Sequence, residues 1–365
     1  MELSTVIRGA LLGGVFWVKG GAILTGFTKD DYRRSSLRFH AKGPAAMGCS
    51  RFIRDKVMCT SNAYGATLLF PVSIHTTRML GMSAVGKSRI PGEGLAAHEA
   101  PREGTVEAWA WQYIHTMDLN QKRFPTQPPS LWEDGQVARR IASPGRPPEL
   151  EVVARSPRTP KPGALIRDKV RAQLFHTFWH HELQAAELFA WALLAFPQTP
   201  LEFRQGLLGI LQDEVRHMAL YEGHLAKLGF QVGSFPVRDW FWQRVPMAEE
   251  PEEFVALVSL GLESGNLDHG ALFAPRLRIA GDAEAAAIVD QISLDEEAHV
   301  AFGVLWFPRL MGKTTYDFEA WRRALPKPLS PILFRGKPLD RKARARAGQS
   351  DSFMDALAEW TPPEA

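Results

Sequence analysis

Cysteine is almost missing from this chain. Cys49 and Cys59 are its only two in 365 residues, which rules out a disulfide framework, and their spacing fits no zinc pattern. A reducing cytoplasm is therefore the expected location. No apolar run reaches the length of a membrane span. The nearest stretch, Gly9 to Val18, is short, is followed by Lys19 and lacks a convincing signal-peptide cleavage site. Excess charge is lacking too: a net charge of +3 is no argument for nucleic acid. With 45% hydrophobic and 23% charged residues the composition is that of an ordinary soluble globular protein. The letters of a phosphate loop are present at Gly81-Met82-Ser83-Ala84-Val85-Gly86-Lys87-Ser88, but its context is not. That mechanism needs a buried strand before the loop and a helix opening at the Lys-Ser. His75-Thr76-Thr77-Arg78 precedes it and Arg89-Ile90-Pro91-Gly92 follows, and proline and glycine prevent such a helix.

What is present is a motif written twice. Asp213-Glu214-Val215-Arg216-His217 and Asp295-Glu296-Glu297-Ala298-His299 both read Asp-Glu-x-x-His. Glu182 stands some thirty residues before the first, and Glu263 the same distance before the second. One glutamate from each of two helices and Glu-x-x-His from each of two others form the ligand set of a carboxylate-bridged dinuclear metal site in a four-helix bundle. Positions i and i+3 share a helix face, so Glu214 and His217 reach one point, as do Glu296 and His299. Four carboxylates balance two ferrous ions. Left empty in an apolar core, each would cost on the order of several kcal/mol or take up a proton.

The apolar pattern agrees. Glu182 lies within the stripe Phe175, Phe178, Ala185, Ala186, Phe189. Glu214 and His217 lie between Leu207, Leu211 and Met218, Tyr221. Glu263 lies between Leu260 and Leu267, and Glu296 with His299 between Ile292 and Val300. Each stripe has helical period. Glu187 and Asp268 are the alternative ligands, five residues beyond Glu182 and Glu263, on stripes that look more polar because Gln184 and Ser264 stand beside them.

His181-Glu182-Leu183-Gln184-Ala185-Ala186-Glu187-Leu188, the two Asp-Glu-x-x-His motifs and Leu262-Glu263-Ser264-Gly265 resemble a bacterial ferritin-like family of unknown function. That family looks like a relative of the di-iron tRNA hydroxylase acting on 2-methylthio-isopentenyladenosine. The likeness runs from about Trp109 to Leu357 and includes the closing segment Arg335-Gly336-Lys337-Pro338 through Gly348. The wider di-iron class implies that Asp213 holds His299 and Asp295 holds His217, fixing each ring. Ala298 stands where the first copy has Arg216, so any salt bridge made by that arginine is expected to be one-sided.

Four segments follow. Residues 1–104 form a basic, glycine-rich extension; residues 1–90 hold 13 Lys/Arg and 4 Asp/Glu. The expected readings are a nucleic-acid arm, a poorly ordered extension, or a start assigned too far upstream, with Met82 as the alternative. Residues 105–163 are a helix and a proline-rich connection, either a linker or an arm packed on the surface. Residues 164–312 are the bundle, with helices near 164–196, 200–228, 251–279 and 282–310. The long crossover before the third helix suits a ferritin-like topology; its Phe230, Phe235, Trp240, Phe241 and Trp242 read as a cap on the bundle or as a lid. Residues 313–365 are a tail packed on the bundle, whose Arg335, Lys337, Arg341, Lys342, Arg344 and Arg346 are either solvated or an RNA-facing patch.

The fold expected is thus all-α, a ferritin-like four-helix bundle with extensions at both ends. The cofactors expected are two iron ions, or manganese. The leading function is an oxygen-activating oxidoreductase, a hydroxylase or oxygenase, with O₂ and an organic substrate as partners, an unidentified electron donor, no membrane, and an oligomer as an open question. Tyr221, one turn beyond His217, is the candidate catalytic side chain, with core filling as its other reading. The alternatives are a ferroxidase or metal-handling protein, without an apolar pocket beside the metals, and a non-catalytic bundle stabilised by metal.

Overall fold

A computed structural model describes residues 100–134, 137–155 and 160–362, and before them only the backbone of five short strands. β1 (Val15–Val18) pairs with β2 (Ala22–Thr25), and β3 (Gly48–Ile53), β4 (Lys56–Thr60) and β5 (Thr67–Pro71) form an antiparallel sheet in chain order. The rest of the glycine-rich extension up to residue 99, with Met82 and the phosphate-loop-like Gly81–Ser88, lies outside the described residues. The chain divides into a unit of Phe16–Ala96 and a unit that contains Ala97–Ala365.

From Ala100 onward the described residues are all-α, and the extended pairings there are single bridges. Local signals set the helix ends. α1 (Val106–His115) is capped by the Thr105 hydroxyl, and α2 (Leu119–Arg123) by the Asp118 carboxylate. α3 (Asp168–Ala195) stops ahead of Pro197, and α4 (Leu201–Lys227) starts after Pro200. Gly229, at φ 81°, ends α4 in a conformation that favours glycine. Pro251 opens α5 (Pro251–Leu257), with a reciprocal cap between Glu250 and Glu253. One π-helical segment, Val258–Glu263, then joins α5 to α6 (Ser264–Ile279). α7 (Ala283–Leu310) is capped by Asp282. The tail adds α8 (Phe318–Ala324), α9 (Arg341–Arg346) and α10 (Asp351–Glu359). No helix among the described residues is long and apolar enough to cross a membrane.

The core has two apolar halves. One joins Leu188–Phe196 of α3, Phe203–Leu211 of α4, Phe254–Leu260 of the third bundle helix, and Phe302 and Phe307 of α7. The other joins Phe175–Leu183, Met218–Leu225, Ala274 and Leu277, and Ala285–Ile292. On each helix the acidic residues fall at the junction of the two, so a polar layer crosses the middle of the bundle.

The proline-rich connection is a packed arm and not a free linker. Ile141 and Leu150 are buried, the Val153 N–H donates to the carbonyl of Val237 in the crossover, and the Val237 N–H donates back to the Glu151 carbonyl. The crossover is a cap: Val232, Phe235, Val237 and Trp242 are buried.

Candidate metal centre

The six residues of the doubled motif converge. Glu182 comes from α3, Glu214 and His217 from α4, Glu263 from the end of the π-helical segment, and Glu296 and His299 from α7. They form two overlapping groups, Glu182–Glu214–His217–Glu296 and Glu214–Glu263–Glu296–His299. In each group, one ligand atom from every residue lies within 4.8 Å of the others. Glu214 and Glu296 belong to both groups, the position a bridging carboxylate takes. All six side chains are buried.

Each imidazole turns Nδ1 inward and Nε2 outward. His217 Nδ1 lies 3.3 Å from Glu214 and 3.9 Å from Glu182, and His299 Nδ1 lies 3.0 Å from Glu214 and 2.9 Å from Glu296. The outer nitrogens meet the aspartate of the opposite motif: His217 Nε2 is 3.3 Å from Asp295, and His299 Nε2 is 3.4 Å from Asp213. This carboxylate-on-imidazole arrangement fixes ring orientation. Arg216 donates to both aspartates at 2.9 Å. The one-sided salt bridge expected from Ala298 is therefore shared: a single arginine serves both copies.

The electrostatics explain why the cluster suits cations. Burial, then the charges of Glu214 and Glu296, push the Glu182 and Glu263 carboxyls well above their ordinary range. Burial also opposes ionisation of Glu214, but the His299 and His217 rings outweigh it and hold that carboxyl low. Burial disfavours a charge on His217, yet Asp295, Glu182 and Glu214 together raise its basicity well above normal; Glu296, Glu214 and Asp213 do the same for His299. Protons on the imidazoles thus occupy the role that cations would fill. Oε1 of Glu296 is buried without a hydrogen-bond partner, and Oε1 of Glu214 is buried with the His299 ring 3.0 Å away. A buried acceptor left unpaired is costly, and a bound cation would satisfy the free oxygen of Glu296. The residues therefore fit a pair of divalent ions held by carboxylate and imidazole.

Glu187 and Asp268 are elsewhere. Glu187 is fully buried and bound by Arg146 at 2.6 and 2.8 Å, by Lys122 at 2.7 Å and by the Trp242 indole at 2.7 Å. Asp268 accepts from Arg344 at 2.7 and 3.0 Å and from the backbone of Gly336 and Asp340. Their stripes look polar in the sequence; in the fold they are buried, with counter-ions from the arm and the tail. Arg344 is accordingly not a solvated tail residue but a fully buried one. Arg346 pairs with Glu297 and Arg341 with Asp355 at the surface.

A cavity of about 320 Å³ adjoins the cluster. Glu182 and Glu296 of the cluster line it, and Leu174, Phe178, Leu272 and Phe273 contribute apolar wall. No crossover residue lines it, so the aromatic crossover is not its lid. Tyr221 does line it, packed edge-on against Phe175 at 5.3 Å between ring centroids. Its hydroxyl has no hydrogen-bond partner among the described residues, and burial followed by the nearby Glu182 charge raises its pKa well above normal. It is thus poised as a neutral donor. His181, Asn266 and His269 also face the cavity and had no assigned role in the sequence, where His181 appeared only as the neighbour of Glu182.

A family model described as a protein of unknown function, DUF455, matches residues 105–355. An uncharacterized protein of Haemophilus influenzae is 28% identical over 196 residues, which are 52% of this chain and 68% of that relative. No solved structure matches.

Proposed function

This chain belongs to the DUF455 family, a membership that brings no reaction with it, and we propose from its centre that it is a ferritin-like di-metal oxidoreductase that activates O₂. The observation that carries the reading is the sharing of Glu214 and Glu296 between two four-residue groups in a buried layer. Two iron ions, or iron and manganese, would be held there, and such a pair supplies two electrons to O₂. Six side chains do not fill the coordination of two metals, so positions remain for oxygen. Asp213, Asp295 and Arg216 orient the imidazoles, while the apolar layers on either side keep water from the reacting centre.

The cavity beside Glu182 and Glu296 favours an organic substrate over iron itself as substrate. A ferroxidase has no need of an apolar pocket at the metals. The tRNA hydroxylase likeness stays a kinship of pattern, since fold does not transfer a reaction.

The test is anaerobic loading of the full chain with ferrous iron, followed by rapid mixing with O₂. The expected outcome is about two irons bound per chain, with oxygen uptake faster than free ferrous iron gives and a visible absorbance change. Bound iron with oxygen uptake no faster than free iron would leave a structural metal site. No bound metal would remove the reading altogether.

A further inference from the structure

We infer that the cavity of about 320 Å³ is a binding pocket for one uncharged organic molecule, apolar over most of its surface, held with its reacting end beside Glu182 and Glu296. The chemistry of this pocket and its rejection of a cation rest on the di-metal reading above; its apolar wall and its rejection of an anion do not.

Charge is the first argument. Among the described residues no lysine, arginine or aspartate lines the cavity, and the acidic groups there are Glu182 and Glu296, both of the candidate metal cluster. A phosphate or carboxylate entering it would lose its hydration without gaining a cation. With metals bound, the two glutamates are neutralised and offer no counter-charge to an ammonium group. An uncharged molecule bears neither cost.

Shape and polarity are the second. Helices α3, α6 and α7 each contribute apolar wall, through Leu174 and Phe178, Leu272 and Phe273, and Ile292. Against that wall stand the partly or fully buried Gln173, His181 and Tyr221, whose side chains make no hydrogen bond to any described residue, while His269 lies at the exposed side. A few unsatisfied polar groups on an apolar wall are what fix the orientation of a small ligand. The volume lies at the low end of the range of about 300–1,000 Å³ common for small-molecule sites. It admits a molecule of one or two rings, or a single such group projecting from something larger.

The experiment compares three probes of one shape on the full chain: 2-naphthol, 2-naphthoate and 2-naphthylmethylammonium. Calorimetry on zinc-loaded protein should show 2-naphthol binding and each charged analogue binding at least about tenfold more weakly. In manganese-loaded protein, the protons of bound 2-naphthol should relax much faster than in zinc-loaded protein, because two glutamates of the cluster line the pocket. Leu272→Trp and Thr177→Trp, which fill the cavity from two different helices, should each weaken 2-naphthol at least about tenfold with metal content retained. In protein that holds metal, failure of 2-naphthol to bind, equal affinity for a charged analogue, or relaxation unchanged by manganese would overturn the proposal. If one filling variant does not fold, the other and the charge series still decide. A protein that takes no metal yet binds 2-naphthol in preference to 2-naphthoate and loses it on filling would sink the di-metal reading and leave the pocket standing.

Discussion

A carboxylate in the middle of this protein is tolerated in one of two ways. Glu187 and Asp268 are met by Lys122, Arg146 and Arg344, cations delivered from outside the bundle. Among the described residues Glu182 and Glu263 are met by no lysine or arginine; other carboxylates and imidazoles surround them, and the Asn266 amide donates to Glu263 at 3.2 Å. Substitution should separate the two kinds. Glu214→Ala or Glu296→Ala should remove both metals, as judged by metal analysis of the purified chain. Glu187→Gln and Asp268→Asn should keep about two, yet destabilise the fold by about 3–5 kcal/mol, because buried cations lose their partner; urea unfolding measures this. The effect of pH has a definite sign. Metal must displace protons from His217 and His299, whose basicity is raised, so affinity should rise with pH across the neutral range and fall on acidification. A metal titration with no such slope would contradict the imidazole ligation. The convergence of the six residues was legible in the sequence because each acid interrupts an apolar stripe. The counter-ions of Glu187 and Asp268 were not, because Lys122, Arg146 and Arg344 are far away in the chain and helical period says nothing about what packs against a face.

Among the elements, the third bundle helix departs most from its sequence pattern. Its stripe of Ala256, Leu260, Glu263 and Leu267 suggests one regular helix, but Val258–Glu263 is π-helical. The widened turn ends on Glu263, and such turns favour functional sites. Neighbours hold it. The Trp321 indole of α8 donates to the Ala256 carbonyl at 2.9 Å, and Gln349 donates to Ser264 at 2.9 Å. A side chain at Gly303 of α7 would come within 2.7 Å of the Ser259 Cβ, so glycine there lets α7 approach the widened turn. Gly303→Ala should therefore cost about 1–3 kcal/mol and displace Glu263. Thermal melting reads the first; a metal stoichiometry reduced toward one per chain reads the second. Helix ends were legible, since Pro197, Pro200, Gly229 and Asp282 mark them. The widened turn was not, because its cause lies in α7, α8 and the tail.

At the scale of the molecule, the matched family region begins at residue 105, and the unit that contains the centre includes everything from Ala97. A chain shortened to begin at Met82 should therefore fold and bind metal as the full chain does. Insolubility, or lost metal with the fold intact, would give the first eighty residues a structural role. The basic character of those residues was legible in the composition, but a charge count cannot say what a segment pairs with.

The two halves of the core are not clad alike. α1, α8 and α10 all pack onto the half that holds Phe254 and Trp191. The half that holds Phe175 and Ile292, beside which the cavity lies, is covered mainly by the arm near Leu150 and the crossover near Phe235. A layered protein loosens first where fewer layers must part. Breathing should thus concentrate at the thinly covered end, in Asp168–Leu183 and Ala274–Ile292, while the opposite end stays shut. Small molecules would enter through transient separation of helix ends, and the tempo of that motion, more than any dedicated gate, would set how often the centre meets its substrate.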